Sequence, residues 1–239
     1  MVVKSELKLI KSLQQKKYRN EHGLFVVEGK KTIEEVVNSD MKVYKLFAVD
    51  PIGLDVGDLQ VEKVTARELS QMSSLKNPNG YLGVFYIPKP TEKITSDWIL
   101  ALDGVQDPGN LGTIIRLCDW FGIADIICSI DTVDCYNSKV LQATMGSITR
   151  INIQYLSLDA FLTSTQLPVF GTFMDGKSVN STQLPAKGIM IMGNEGKGVS
   201  EAVAKLCTDR LAIPQFGDVT TESLNVASAT AILLHEIRK

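Results

Sequence analysis

Ser223 and Asn225 flank Leu224 at the head of a helical pattern, ESLNVASATAILLHE, whose apolar stripe runs through Val226, Ala229, Ile232, Leu233 and Ile237. Small polar side chains at such a place suit two kinds of chemistry. They can cap the helix by accepting hydrogen bonds from its unpaired first-turn amides. They can also, with those amides, hold a ligand. Two other stretches raise the same question. QDPGNLGTIIR follows the apolar run WILALDGV, and NEGKGVSE follows GIMIMG. All three stretches are rich in glycine or small polar residues, follow a strand-like run and lead into a helix. Ligands of open α/β sheets sit at the carboxyl ends of the strands. One such loop is a turn; three at one sheet edge point to a ligand site.

The familiar nucleotide loops do not fit. A Walker A loop needs four residues between its first glycine and a Gly-Lys-Ser/Thr triplet, and GNEGKGVS lacks that spacing. Its glycines, at 193, 196 and 198, also miss the G-x-G-x-x-G dinucleotide pattern, as does DPGNLG. Ser223 as a hydrolytic nucleophile would need His22 or His235 as its base, and no G-x-S-x-G elbow surrounds it. Cys118, Cys128, Cys135 and Cys207 show no C-x-x-C spacing, which with two histidines argues against a zinc site.

The elements that carry these loops alternate regularly after Asp97. Strands are expected at WILALDGV, DIICS, PVFGTFMD, GIMIMGN and DRLAIP. Helices are expected at NLGTIIRLCDWFG, SKVLQATMGSI, LDAFLTS, SEAVAKLC and the closing stretch. Strands that are almost wholly apolar and alternate with helices indicate a parallel sheet covered on both faces. Before the polar linker KPTEKITSD lies a smaller α/β unit. Its first segment, SELKLIKSLQQKKYRNE, reads as one amphipathic helix with Ser5 as N-cap. Strands at GLFVVEG, KVYKLFAV and GYLGVFYIP and helices at KKTIEEVVNS and TARELSQMS complete it. The expected domains are therefore residues 1–93 and 97–239.

The formal net charge is −2, which argues against a general nucleic-acid binder. Its distribution says more, since the first 31 residues hold 8 Lys/Arg against 3 Asp/Glu. Such a stripe suits a phosphate backbone, and Lys16, Lys17, Arg19 and Lys30 are the candidate contacts. No apolar run approaches a membrane span, and the charged N-terminus is not a signal peptide. Free thiols indicate a reducing compartment, hence a cytoplasmic protein.

Taken together, the three loops resemble the motifs of the SpoU (TrmH-type) RNA ribose 2′-O-methyltransferases of the SPOUT superfamily. DGVQDPGNLGTIIR matches the first motif, with Asn110, Gly112 and Arg116 in place. IMGNEGKGVS matches the second through Gly193, Glu195 and Gly198. IPQFGDVTTESLNVASATAILLHE matches the third through Ile213, Pro214, Ser223, Leu224 and Asn225. The likeness spans residues 97–239, and KKYRNEHGLFVVEGKKTIEEV extends a weaker one to the family's substrate domain, which is similar to small ribosomal RNA-binding proteins.

The resemblance implies an α/β SPOUT domain with a deep trefoil knot, a homodimer, no metal, and S-adenosylmethionine as cofactor. It assigns Thr172, Gly193, Gly198, Ile213 and Leu224 to the cofactor, wrapped by the loop from Ile213 to Asn225. It places Asn110, Arg116, Glu195, Ser223 and Asn225 in the catalytic region. The family proposal makes Arg116 a general base. A guanidinium is so hard to deprotonate that bidentate phosphate holding and alkoxide stabilisation suit it better. The implied substrate is structured RNA, ribosomal RNA before tRNA. The rival readings are a non-catalytic RNA-binding assembly factor and, less so, an N1-guanine methyltransferase of the same superfamily.

Overall fold

The computed structural model describes residues 2–217 and 223–239. The chain forms α1 (Lys4–Ser12), α2 (Lys16–His22), β1 (Leu24–Glu28), α3 (Lys30–Val37), β2 (Val43–Ala48), β3 (Val61–Lys63), α4 (Ala66–Met72) and β4 (Tyr81–Tyr86). There follow β5 (Trp98–Asp103), α5 (Pro108–Trp120), β6 (Asp125–Cys128), α6 (Ser138–Thr144), β7 (Asn152–Tyr155) and α7 (Leu158–Ser164). Then come β8 (Val169–Ser178), β9 (Gly188–Gly193), α8 (Glu201–Ala204), β10 (Asp209–Ala212) and α9 (Val226–Arg238). Two compact units emerge. One is Met1–Lys89 with Asp134–Thr149; the other is Pro90–Val133 with Arg150–Lys239.

The first unit is built on a sheet in the order β1-β4-β2-β3, antiparallel except between β2 and β3. One face carries α1 and α4, whose Ile10, Leu69 and Met72 join Leu24, Phe47, Leu82 and Val84 in a core. α3 packs on β1 and β4, and α6 on β1. Tyr136 packs against Phe25 with ring centroids 4.7 Å apart and planes tilted by 43°.

The single N-terminal helix expected from the sequence is two helices. Val3, not Ser5, occupies the N-cap position of α1. Gln15, in extended conformation, separates α1 from α2. The break leaves the Leu13 carbonyl without a helical donor, and Arg19 supplies one from Nη1 at 2.8 Å.

The second unit holds a six-stranded sheet in the order β10-β8-β9-β5-β6-β7, parallel throughout. β6 and β9 are buried along their whole length, which explains their unbroken apolar runs. α7 and α8 cover one face, where Leu158, Leu162 and Val203 pack on Ile99, Ile127, Ile189 and Ile191. α5 and α9 pack on each other, and α9 also packs on β9. From β5 the chain runs outward to β6 and β7, then crosses to the other side of β5 to add β8, β9 and β10. The sheet therefore has its switch point between β5 and β9, where parallel sheets bind ligands.

Asp125 fixes the entry to this unit. Its carboxylate is buried and accepts from the Thr95 and Ser96 amides and from Asn152 Nδ2, each at 2.9 Å. Burial pushes the Asp125 carboxyl up, but the Asn152 amide and the two backbone donors outweigh it and leave the pKa below its ordinary value. At the same edge of the sheet, Arg238 of α9 makes a two-pronged ion pair with Asp97, at 2.6 and 3.0 Å.

Candidate active site

The loops leaving β5 and β9 meet at the switch point. Asp107 caps α5 by accepting from the Asn110 amide at 2.8 Å, and Pro108 fills a first-turn position where its missing N–H costs nothing. Asn110 thus stands on the first turn, and its Nδ2 donates to Glu195 Oε1 at 3.0 Å. The same oxygen accepts from the Asp107 amide, and Oε2 from the Gln106 amide, both at 3.1 Å. Burial pushes the Glu195 carboxyl up, but these donors prevail, so its pKa lies below the usual value.

The β9 loop that carries Glu195 is tightly folded. Asn194 Oδ1 accepts from the Gly196 and Lys197 amides, both at 3.0 Å, while its Nδ2 donates to the Gly104 carbonyl at 2.6 Å. Asn194 and Gly198 exchange two backbone bonds of 2.9 Å, which needs Gly198 at φ +69°. A Cβ on Gly193 would lie 2.2 Å from the Gly198 carbonyl carbon, so only glycine allows the loop to close.

The third participant is the head of α9. Asn225 is its N-cap, with Oδ1 accepting from the Ala227 and Ser228 amides at 3.0 and 3.2 Å. Its Nδ2 donates to Asn110 Oδ1 at 2.9 Å. One directed chain of hydrogen bonds therefore runs from α9 through Asn225 and Asn110 to the Glu195 carboxylate. Three residues far apart in sequence are held as a unit. The capping role open to Ser223 falls to Asn225.

The SpoU rRNA methylase family matches residues 97–235, the span that builds this site. The chain belongs to that family. The MRM3-like substrate binding domain matches residues 4–83. The 23S rRNA (guanosine(2553)-2′-O)-methyltransferase RlmP of Bacillus subtilis is 32% identical over 237 residues, covering 95% of this chain and 94% of its own. A TrmH-family structure from Porphyromonas gingivalis superimposes with a TM-score of 0.89 at 36% identity, covering 100% of this chain and 98% of the other. An AdoMet-bound rRNA methyltransferase from Sinorhizobium meliloti does so at 0.83 and 30%, covering 100% and 96%.

The other expected site residues of this SpoU-family chain lie outside the hydrogen-bonded set. Arg116 is exposed on α5, six positions beyond Asn110 and so about 9 Å further along the helix axis. It is not part of the hydrogen-bonded set, and among the described residues no hydrogen bond or ion pair engages it. Ser223 is exposed, and Leu224 is 51% exposed beside it. Ile213 is half-buried just past the end of β10. Thr172 is half-buried, one residue beyond Gly171, the last β8 residue paired with β9. The loop expected to wrap the cofactor runs from Ile213 to Asn225, and residues 218–222 of it lie outside the described residues. Among the described residues no group of three or more His, Cys, Asp and Glu side chains is placed to hold a metal.

Within the first unit, Lys16, Lys17 and Lys30 are exposed. Lys17 Nζ lies 5.6 Å from the Tyr18 ring centre, and Lys30 Nζ lies 3.8 Å from Glu34. Arg19 corrects the sequence expectation. It is 3% exposed, and both its Nε, at 3.0 Å, and its Nη2 pair with Asp134. An Arg spent on an internal carboxylate and a main-chain carbonyl is not available to a phosphate. Sequence reasoning also missed Gln106 and Asp107, whose backbone amides hold Glu195. A motif read by side-chain type does not reveal main-chain donors.

Proposed function

We propose that this protein transfers a methyl group from S-adenosylmethionine to a ribose 2′-hydroxyl of ribosomal RNA. The observation that carries the reading is the locked Asn225–Asn110–Glu195 set at the switch point, whose Asn110 shares helix α5 with the solvent-facing Arg116. The residues present fit the cofactor. Leu224 offers an apolar side chain left open to solvent, and Gly198, with open space where a Cβ would stand, permits close approach to a loop that Gly193 allows to close. When bound, S-adenosylmethionine supplies a methyl already activated on a sulfonium, so the chain needs only to place the acceptor and manage its proton.

Arg116 takes the acceptor side. Its planar fork suits a phosphate of the target strand, and its fixed charge stabilises oxygen as the 2′-hydroxyl proton departs. Ser223 faces the same side and orients the ribose. Glu195, saturated with donors and ionised, acts as an anchor, with Asn110 and Asn225 as its positioning partners. Thr172, Gly193, Gly198, Ile213 and Leu224 line the cofactor side. Lys16, Lys17 and Lys30 hold RNA by charge. The second unit carries the trefoil knot that the family resemblance implies. The protein works in the cytoplasm as a homodimer, for which Ile232 on α9 and Trp120 on α5, 38% and 84% exposed, supply apolar surface.

The test is methyl transfer from labelled S-adenosylmethionine to ribosomal RNA, with tRNA in parallel. A matching RNA carrying 2′-deoxyribose at the labelled nucleotide should remain unmethylated. Arg116→Ala should abolish transfer and leave cofactor binding intact. Methylation of the deoxy substrate would move the acceptor to a base atom. Absence of cofactor binding by calorimetry would end the methyltransferase reading altogether.

A further inference from the structure

Between β6 and Asp134 the chain makes a turn, Ser129–Val133, that belongs to none of the three motifs. Thr132 N donates to the Ser129 carbonyl at 3.1 Å, and Thr132 Oγ1 donates to the Leu102 carbonyl at 3.2 Å. Ser129 is buried, and its Oγ accepts from the Gly104 amide at 2.9 Å. The same hydroxyl donates its one proton to Asp131 Oδ1 at 2.5 Å, with Thr132 Oγ1 a longer neighbour at 3.0 Å. With that proton drawn to Asp131, a lone pair is turned toward Gly104. The turn reaches the β5 loop twice more. Val133 N donates to the Val105 carbonyl at 2.9 Å, and Gln106 Nε2 donates to the Asp131 carbonyl at 2.5 Å.

The β5 loop is thus clamped from both sides. Asn194 and Glu195 hold it from β9, and the turn holds it from β6. Gly104 sits at φ +74°, and a Cβ there would lie 3.1 Å from Asp131 Oδ2, so the turn closes directly over it. The amides of Gln106 and Asp107 reach Glu195 only if this loop keeps its path.

We propose that Ser129 and Asp131 are positioning residues for methyl transfer, holding residues 104–107 so that two main-chain amides stay aimed at Glu195. The inference rests on the methyltransferase reading for its kinetic consequence, though not for its structural one. Asp131 acts through its acceptor oxygen, and its charge is not required. Asp131→Asn keeps that oxygen; Asp131→Ala and Ser129→Ala break the relay.

The experiment combines two readouts on the full chain. The first is the Glu195 carboxyl titration, followed by NMR on carboxyl-labelled glutamate, which needs no turnover. In Asp131→Ala and Ser129→Ala the Glu195 pKa should rise toward the ordinary carboxylate value, while Asp131→Asn should titrate like the parent. The second is the rate of methyl transfer. It should fall about tenfold in the two broken variants, the worth of roughly one hydrogen bond, and remain near the parent in Asp131→Asn. Asp131 is exposed, so its variants keep the test in force should Ser129→Ala fail to fold. An unmoved Glu195 titration in Asp131→Ala overturns the proposal. So does an Asp131→Asn variant as slow as Asp131→Ala, because the charge itself would then be at work. A parent protein that methylates nothing counts against the proposed function alone, and the titration still decides the positioning role.

Discussion

Replacing Arg19 by Met should destabilise the first unit by about 3 kcal/mol. The guanidinium is 3% exposed, and the Asp134 side chain beside it 14%. Met keeps much of the aliphatic volume, so the change removes charge and donors without opening a large cavity. It deletes the Nε and Nη2 bonds to Asp134 and the Nη1 bond to the Leu13 carbonyl. Breaking a buried pair by removing one partner costs about 3–5 kcal/mol, because the remaining charge stays buried. The Tyr136 amide still donates to Asp134 Oδ1 at 3.0 Å, which places the expectation at the low end. Both tryptophans, Trp98 and Trp120, lie in the second unit, so their fluorescence would miss the event. Urea unfolding should be followed by far-ultraviolet circular dichroism, with amide exchange of β1 and α6. The double variant Arg19→Met with Asp134→Leu should recover much of the loss, since apolar replacement of both partners of a buried pair is often neutral. A loss under about 1 kcal/mol, with weaker RNA binding instead, would return Arg19 to the substrate and refute the burial argument.

Asn225→Ala should cost about 1 kcal/mol through the lost cap of α9. It should cost methyl transfer more than that, because Asn110 loses the partner that fixes its amide. Steady-state rates set beside thermal midpoints make the comparison, and an unchanged rate would show that Asn110 needs no such partner. Glu195 carries a pH prediction. Its folded pKa is depressed, so its contribution is complete above the unfolded value and is lost as pH falls through the folded one. The hydrogen-bonded set should therefore persist through neutral pH and fail only below the usual carboxylate range. Glu195→Gln should reproduce the acid form at neutral pH, and a rate equal to the parent's would contradict the anchoring role.

The strands of the second unit were legible where burial is complete. β5, β6 and β9 announce themselves as apolar runs because both faces of the sheet are covered. β7 and β3 were not, since both are short edge strands whose residues are at most half-buried, so neither alternation nor a run stands out. The break between α1 and α2 was hidden because no Gly or Pro marks it and the apolar stripe continues to Leu13. At the site, the types of Asn110, Glu195 and Asn225 could be read from the motifs. Their connectivity could not, because it joins positions 85 and 115 residues apart. The same holds for Arg19. A basic stripe looks solvated until Asp134, 115 residues away, is seen to claim one of its members.

Residues Asp134–Thr149 are encoded in the middle of the methylase segment yet fold with the first 89 residues, placing Tyr136 on Phe25 and Asp134 on Arg19. A front segment joined end to end without residues 134–149 would therefore lack these partners. A recombination event that exchanged the front of the gene alone would bring in a substrate domain with no match for Asp134 or Tyr136. Each new pairing would have to be repaired by compensating changes downstream. Drift in the two stretches should be correlated, and a chimera should recover its stability only when residues 134–149 move with the front of the chain.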